Sequence, residues 1–121
     1  MASDLAIIEA PTTLGLWPSG VQLLAATLLE HGLAERLGAG HGGSLVTPPY
    51  VRERDPHTGF LNGPAVRQYA LELERLLVPQ WNAGLVPVVL GGDCSILHGA
   101  LVGLKRRGRT GLLYLDGHAD F

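Results

Sequence analysis

The residues best suited to chemistry stand in two short clusters, Gly91-Gly92-Asp93-Cys94-Ser95 and Asp116-Gly117-His118-Ala119-Asp120, each behind an apolar run. In the second cluster, alternate residues of an extended chain point the same way, so Asp116, His118 and Asp120 can share a face. Full extension would put the two carboxylates about 13 Å apart, too far for one ion. The segment must therefore curl as it leaves its strand, and Gly117 and Ala119 are small enough to let it. Curled, it offers two hard oxygen ligands and one imidazole, a set suited to Mn²⁺, Zn²⁺, Fe²⁺ or a pair of such ions. The bare spacing is equally compatible with a solvated loop.

The first cluster reads as a strand–turn–helix junction. Its glycines permit a tight turn and a close backbone approach. Asp93 or Ser95 can cap the helix that follows. A thiol at a helix N-terminus makes Cys94 a candidate nucleophile or metal ligand. The rest of a cysteine-hydrolase signature is missing, and neither cluster is a Walker-type or dinucleotide-binding glycine loop.

These clusters must be carried by strands. Residues 5–9 are short, apolar and stopped by Pro11, as in a strand buried on both faces. Ser19 and Gln22 have capping-box spacing, and Val21, Leu24, Ala25, Leu28 and Leu29 then fall on one helical face that Gly32 can end. Residues 33–37 can add a turn, and residues 44–47 a second short strand before Pro48-Pro49. A loop is expected over residues 50–63. From Pro64, the spacing of Val66, Tyr69, Ala70, Leu73, Leu76 and Leu77 predicts a helix that kinks or ends near Pro79. A strand over 85–90, a helix over 94–107 and a strand over 111–116 complete the order. Alternating β and α elements with continuous apolar strands call for an α/β fold, a mainly parallel sheet between two helical layers. In such sheets ligands gather outside the carboxyl ends of the strands, where both clusters lie.

At 121 residues there is room for one domain at most, and 46% hydrophobic residues suffice for a core. A formal net charge of −2 leaves no footprint for nucleic acid or an anionic membrane. No apolar run reaches membrane-spanning length, and the N-terminus lacks the segments of a signal peptide. A single cysteine excludes an internal disulfide framework and suits a reducing cytoplasm. The remaining histidines receive structural expectations: His31, His41 and His57 at the surface in or near turns, His98 packed beside the helix–sheet interface. His41 and its glycines are also compatible with a mobile loop near an active-site mouth. Trp17 and Trp81 are expected to anchor packing.

Taken together, the two clusters resemble those of the ureohydrolase family: arginase, agmatinase, guanidino-acid hydrolases and formimidoylglutamase. Members typically carry Gly-Gly-Asp-His-Ser after one strand and Asp-Ala-His-x-Asp after a later one. The opening stretch Leu5-Ala-Ile-Ile-Glu-Ala-Pro-Thr-Thr-Leu-Gly15 also looks like the family's first strand and loop. The resemblance covers residues 1–121 as the N-terminal part of a single three-layer α-β-α domain. It implies Asp116 bridging two Mn²⁺ ions, Asp120 and His118 completing one site each, and Cys94 standing where a histidine usually binds metal. Asp93 and Ser95 would support the ligands from behind. The implied chemistry is hydrolysis of a guanidino or formimino C–N bond by a hydroxide shared between the metals. The acid/base histidine and a later Asp-x-Asp motif are expected beyond Phe121, so these residues alone are expected to be inactive. The resemblance further implies a small guanidino or amidine substrate, a homo-oligomer (trimer or hexamer) and a cytoplasmic setting.

Cys94 is the main departure. Thiolate is softer than imidazole and Mn²⁺ prefers hard donors, so Zn²⁺ or a single metal is an alternative. A degenerate, non-catalytic relative with a structural or regulatory role is a second reading. A mononuclear Zn site from Cys94, His98 and His118 is a third.

Overall fold

The computed structural model describes residues 3–116. Three strands, β1 (Leu5–Ala10), β2 (Gly40–Ser44) and β3 (Val86–Gly91), form a wholly parallel sheet in the order β2-β1-β3. The central place of β1 follows from its apolar sequence: Ala6, Ile7, Ile8 and Ala10 are all buried. Pleating turns Ile7 and Ile8 to opposite faces, so each nucleates a different core. Ile7 packs with Ala25 and Leu90, against Leu28, Leu29 and Leu33 of α1 (Leu24–Glu30) and α2 (Leu33–Leu37). Ile8 packs with Leu14, Tyr69, Leu73 and Leu77, the last three from α3 (Gly63–Asn82), and with Ile96 and Ala100 of α4 (Ile96–Arg107). The result is the expected α/β architecture with helices on both faces.

α3 and α4 approach closely because α4 presents glycines to α3. A Cβ at Gly99 would lie 2.6 Å from the Ala70 carbonyl oxygen, and one at Gly103 would lie 2.8 Å from the Trp81 ring. This contact also rotates His98 to the solvent side of α4, so it does not pack at the helix–sheet interface. Trp81 is anchored there with Arg107 5.8 Å from its ring centroid, and the half-buried Glu74–Arg106 pair (2.7 Å) closes the same seam. Trp17, by contrast, is 60% exposed. α3 starts at Gly63, one residue ahead of the expected Pro64, while Pro79 is accommodated inside it, four residues before the cap at Ala83.

Other boundaries moved. The capping box forms only in part: Gln22 Oε1 accepts the Gly20 N–H (3.0 Å), and a 3₁₀ turn, Val21–Leu23, precedes α1. The second strand is Gly40–Ser44, not 44–47, since pairing to β1 outweighs the higher strand propensity of Leu45 and Val46. Leu45 still donates its N–H to the Glu9 carbonyl (2.8 Å) before turning into the core. His41 therefore lies in an edge strand rather than a turn or mobile loop, facing Ser44 and Glu9. His31 and His57 are exposed.

The largest difference concerns residues 111–116, expected as a strand. They form no ladder, and Leu113 and Leu115 are 84% and 85% exposed. An apolar run becomes a strand only when another strand takes its N–H and C=O groups. After the turn at Gly108 no described strand lies alongside this one.

Candidate functional site

At the carboxyl edge of the sheet, the loops leaving β1 and β3 meet. β1 is followed by helices on one face and β3 by α4 on the other, so their junction is the topological switch point where parallel sheets place ligands. Gly92 makes this meeting possible: a Cβ there would stand 2.0 Å from the Thr12 carbonyl oxygen. The Asp93 N–H donates to that same oxygen (2.9 Å).

Asp93 is buried, and its carboxylate is saturated with donors. Oδ2 accepts the backbone N–H groups of Gly15 (2.8 Å) and Leu16 (3.2 Å). Oδ1 accepts the Ser95 N–H (3.0 Å) and the Ser95 hydroxyl (2.5 Å). Sequence reasoning assigned Asp93 or Ser95 to capping. Asp93 instead ties two loops together across 77 and 78 residues of sequence, and Ser95, at the cap position of α4, makes no side-chain capping bond. Helix α4 accordingly begins at Ile96 rather than Cys94.

Cys94 stands on the solvent side of this turn. Its Sγ lies 3.6 Å from Asp116 Oδ2, to which the Tyr114 hydroxyl also donates (3.0 Å). Asp116, the first residue of the second cluster, therefore meets the first cluster through its side chain although residues 111–116 are not a strand. Tyr114 was missed by sequence reasoning. The period-2 alternation that groups Asp116 with His118 also places Tyr114 on the same side, and that signal was available. Its phenol is held well above the ordinary tyrosine range, first by the hydrogen bond to Cys94, then by desolvation, then by Asp116. Tyr114 thus remains a hydroxyl donor beside the Cys94 thiol and the Asp116 carboxylate. His118 and Asp120 lie outside the described residues.

Two further residues escaped the sequence reading. Thr12 is buried, with Oγ1 accepting the Leu14 N–H (3.2 Å) and sharing a hydrogen bond with the Ser95 hydroxyl (3.4 Å). Asn62, in the left-handed region at φ 51°, accepts the Val51 N–H (2.9 Å) and donates to the Leu14 carbonyl (3.0 Å). Its side chain is a second hold on the β1 loop, through the Leu14 carbonyl. Asn62 falls within the loop expected over residues 50–63, but its partner Leu14 lies 48 residues away along the chain.

Whether these donors fit a metal follows from their spacing and chemistry. Two ligands of one tetrahedral ion, each about 2.0–2.3 Å from it, lie about 3.5 Å apart, and Cys94 Sγ and Asp116 Oδ2 are separated by 3.6 Å. A sulfur–oxygen pair at this distance suits a borderline-soft divalent ion. Among the described residues no group of three or more His, Cys, Asp and Glu is gathered as a complete site, and His98 does not join Cys94 in one.

A thiol and a carboxylate gathered beyond the carboxyl edge of a parallel sheet define an α/β protein with a candidate metal-binding end. The family model described as the Arginase family matches residues 29–121, and the chain belongs to this family. Among solved structures it is similar to the arginase from Bacillus subtilis, with 25% identity and a TM-score of 0.65. That likeness covers 85% of this chain and 34% of that one, so the chain spans about a third of that relative's length. None of the curated proteins compared with the chain matches it. Among the described residues, no helix is long and apolar enough to cross a membrane.

Proposed function

We propose that the protein is a metal-dependent hydrolase of the ureohydrolase kind, and that residues 1–121 are the N-terminal part of its single domain. Its substrate is a small guanidino or formimino compound. Water is added across a C–N bond, and for a guanidino compound the products are an amine and urea. The observation that carries this reading is the 3.6 Å approach of Cys94 Sγ to Asp116 Oδ2 at the sheet's carboxyl edge, in a chain of the Arginase family.

Asp116 would be shared by two ions, with His118 and Asp120 completing their sites and Cys94 a ligand of one of them. Divalent ions held there supply Lewis-acid polarisation and make bound water acidic enough to act near neutral pH. The chain's own residues prepare that end of the site. The Tyr114 hydroxyl orients the Asp116 carboxylate by donating to Oδ2, and its resistance to deprotonation keeps that donor in place. Asp93 and Ser95 hold the turn from which Cys94 projects. Mn²⁺ is the ion implied for the centre as a whole. At the Cys94 position the thiolate favours Zn²⁺ or another softer ion. The acid/base histidine, a homo-oligomeric assembly and a cytoplasmic location belong to the same proposal.

The test is release of urea, ammonia or formamide from a panel of guanidino and formimino compounds by the complete protein, loaded in turn with Mn²⁺, Co²⁺ and Zn²⁺. Release dependent on one of these ions supports the reading. Absence of turnover with all three overturns it and favours the non-catalytic alternative, for which the thiol in the histidine position is the motive.

A further inference from the structure

Loops at a ligand-binding edge run over the surface and are usually more mobile than the strands they join. Here the loop over residues 12–16 is pinned to the turn over residues 92–95 by side chains as well as backbone. Asp93 receives two of its amides, Thr12 meets Ser95, and the Thr12 carbonyl accepts the Asp93 N–H; outside the turn, Asn62 also donates to its Leu14 carbonyl. Asp93 is the hub, because its two oxygens serve different loops: Oδ2 the residues after β1, Oδ1 the backbone and hydroxyl of Ser95. Cys94 lies between the anchored Asp93 and the anchored Ser95, so its position opposite Asp116 depends on that hub.

We propose that Asp93 is a positioning residue that couples the order of the β1 loop to occupation of the metal position at Cys94 and Asp116. This rests on the metal-site reading above and extends it to a loop that carries no ligand. An ion that draws Cys94 and Asp116 together fixes the turn, and the turn fixes Gly15 and Leu16 through one carboxylate. Partners hydrogen-bonded directly to a metal ligand commonly change metal affinity by about 10- to 100-fold when replaced, and Asp93, which acts through the turn, is set at the lower end of that range.

The experiment uses the complete protein and Co²⁺ as probe. Co²⁺ binding is measured by calorimetry, and amide hydrogen exchange is followed at Gly15 and Leu16 with and without the ion. Co²⁺ should slow exchange of both amides in the native protein. Asp93→Asn should erase that slowing and weaken Co²⁺ binding about tenfold or more, and Asp93→Glu should fail to restore it, because its longer arm cannot serve both loops. Co²⁺ binding to the native protein with no change in exchange overturns the coupling alone, as does an Asp93→Asn variant that binds as tightly as the native chain. No Co²⁺ binding by the native protein overturns the coupling and the metal-site reading together. Should Asp93→Asn fail to fold, Ser95→Ala removes one of the four hydrogen bonds to the carboxylate and is expected to give a smaller loss of affinity in the same direction, while the exchange experiment on the native protein decides the matter unaided.

Discussion

Gly92 and Thr12 belong to adjacent strand ends and approach so closely that any side chain at 92 would collide with the Thr12 carbonyl, the nearest atom standing 2.0 Å from where a Cβ would be. The obstacle is backbone, which cannot swing aside as a side chain would. Gly92→Ala should therefore destabilise the protein by at least the 1–3 kcal/mol typical of overpacking, roughly. It should also lengthen the Asp93 N–H to Thr12 O bond. Chemical denaturation of the complete protein measures the first effect. A loss below about 0.5 kcal/mol would mean that the two loops separate easily.

Cys94 offers a spectroscopic test of ligand type. With Co²⁺ bound, the native protein should show a sulfur-to-metal charge-transfer band in the near ultraviolet. Cys94→Ser should lose it, and Cys94→His should shift relative affinity from Zn²⁺ toward Mn²⁺, as hard–soft matching requires. Absorption titrations check both. An identical spectrum for the native protein and Cys94→Ser would remove the thiol from the ligand set.

The buried phenol of Tyr69 sets an alkaline limit on stability. Burial, and to a lesser extent the charge of Asp93, raise it above the ordinary tyrosine value of 10.0, outweighing the hydrogen bond from Thr47. The unfolded chain therefore loses this proton at lower pH than the folded one. The contribution is fully present below pH 10 or so and is lost as pH rises through the raised value. Urea denaturation between about pH 9 and 11.5 should show a steeper decline for the native protein than for Tyr69→Phe. Parallel declines would show that Tyr69 titrates alike in both states.

The glycine face of α4 yields a packing test. Gly99→Ala puts a methyl against the Ala70 carbonyl and the Leu73 side chain. It should cost about 1–3 kcal/mol even though alanine favours helix by about 1 kcal/mol over glycine. Gly111→Ala, in a place with open space around it, serves as the control and should leave the thermal midpoint nearly unchanged.

Much of the molecule was legible before folding. The apolar run of β1 announced a strand buried on both faces, because only a central parallel strand has no solvent side. The spacing of Tyr69, Leu73 and Leu77 placed α3 and named its core face. The paired clusters pointed to the sheet's carboxyl edge and, through their resemblance, to the family that the comparisons identify. All of these are local signals, written in periodicity or in short motifs.

Long-range partners were not legible. Nothing near Asp93 in sequence says that its carboxylate holds Gly15 and Leu16, or that Asn62 reaches Leu14. His98 was expected beside the helix–sheet interface, yet Gly99 and Gly103, which carry no side chain, bring that other face of α4 against α3. The strand over 111–116 was expected from composition, but strand formation is a property of a pair, and no described strand pairs with it. The amino-acid sequence by itself determined which residue types stand at the strand ends as candidates for chemistry and which segments are apolar enough to form the sheet. Tertiary structure alone decided which loop braces Cys94 and which oxygen of Asp93 serves it, because hydrogen bonds between distant segments exist only once the sheet has brought its strand ends together.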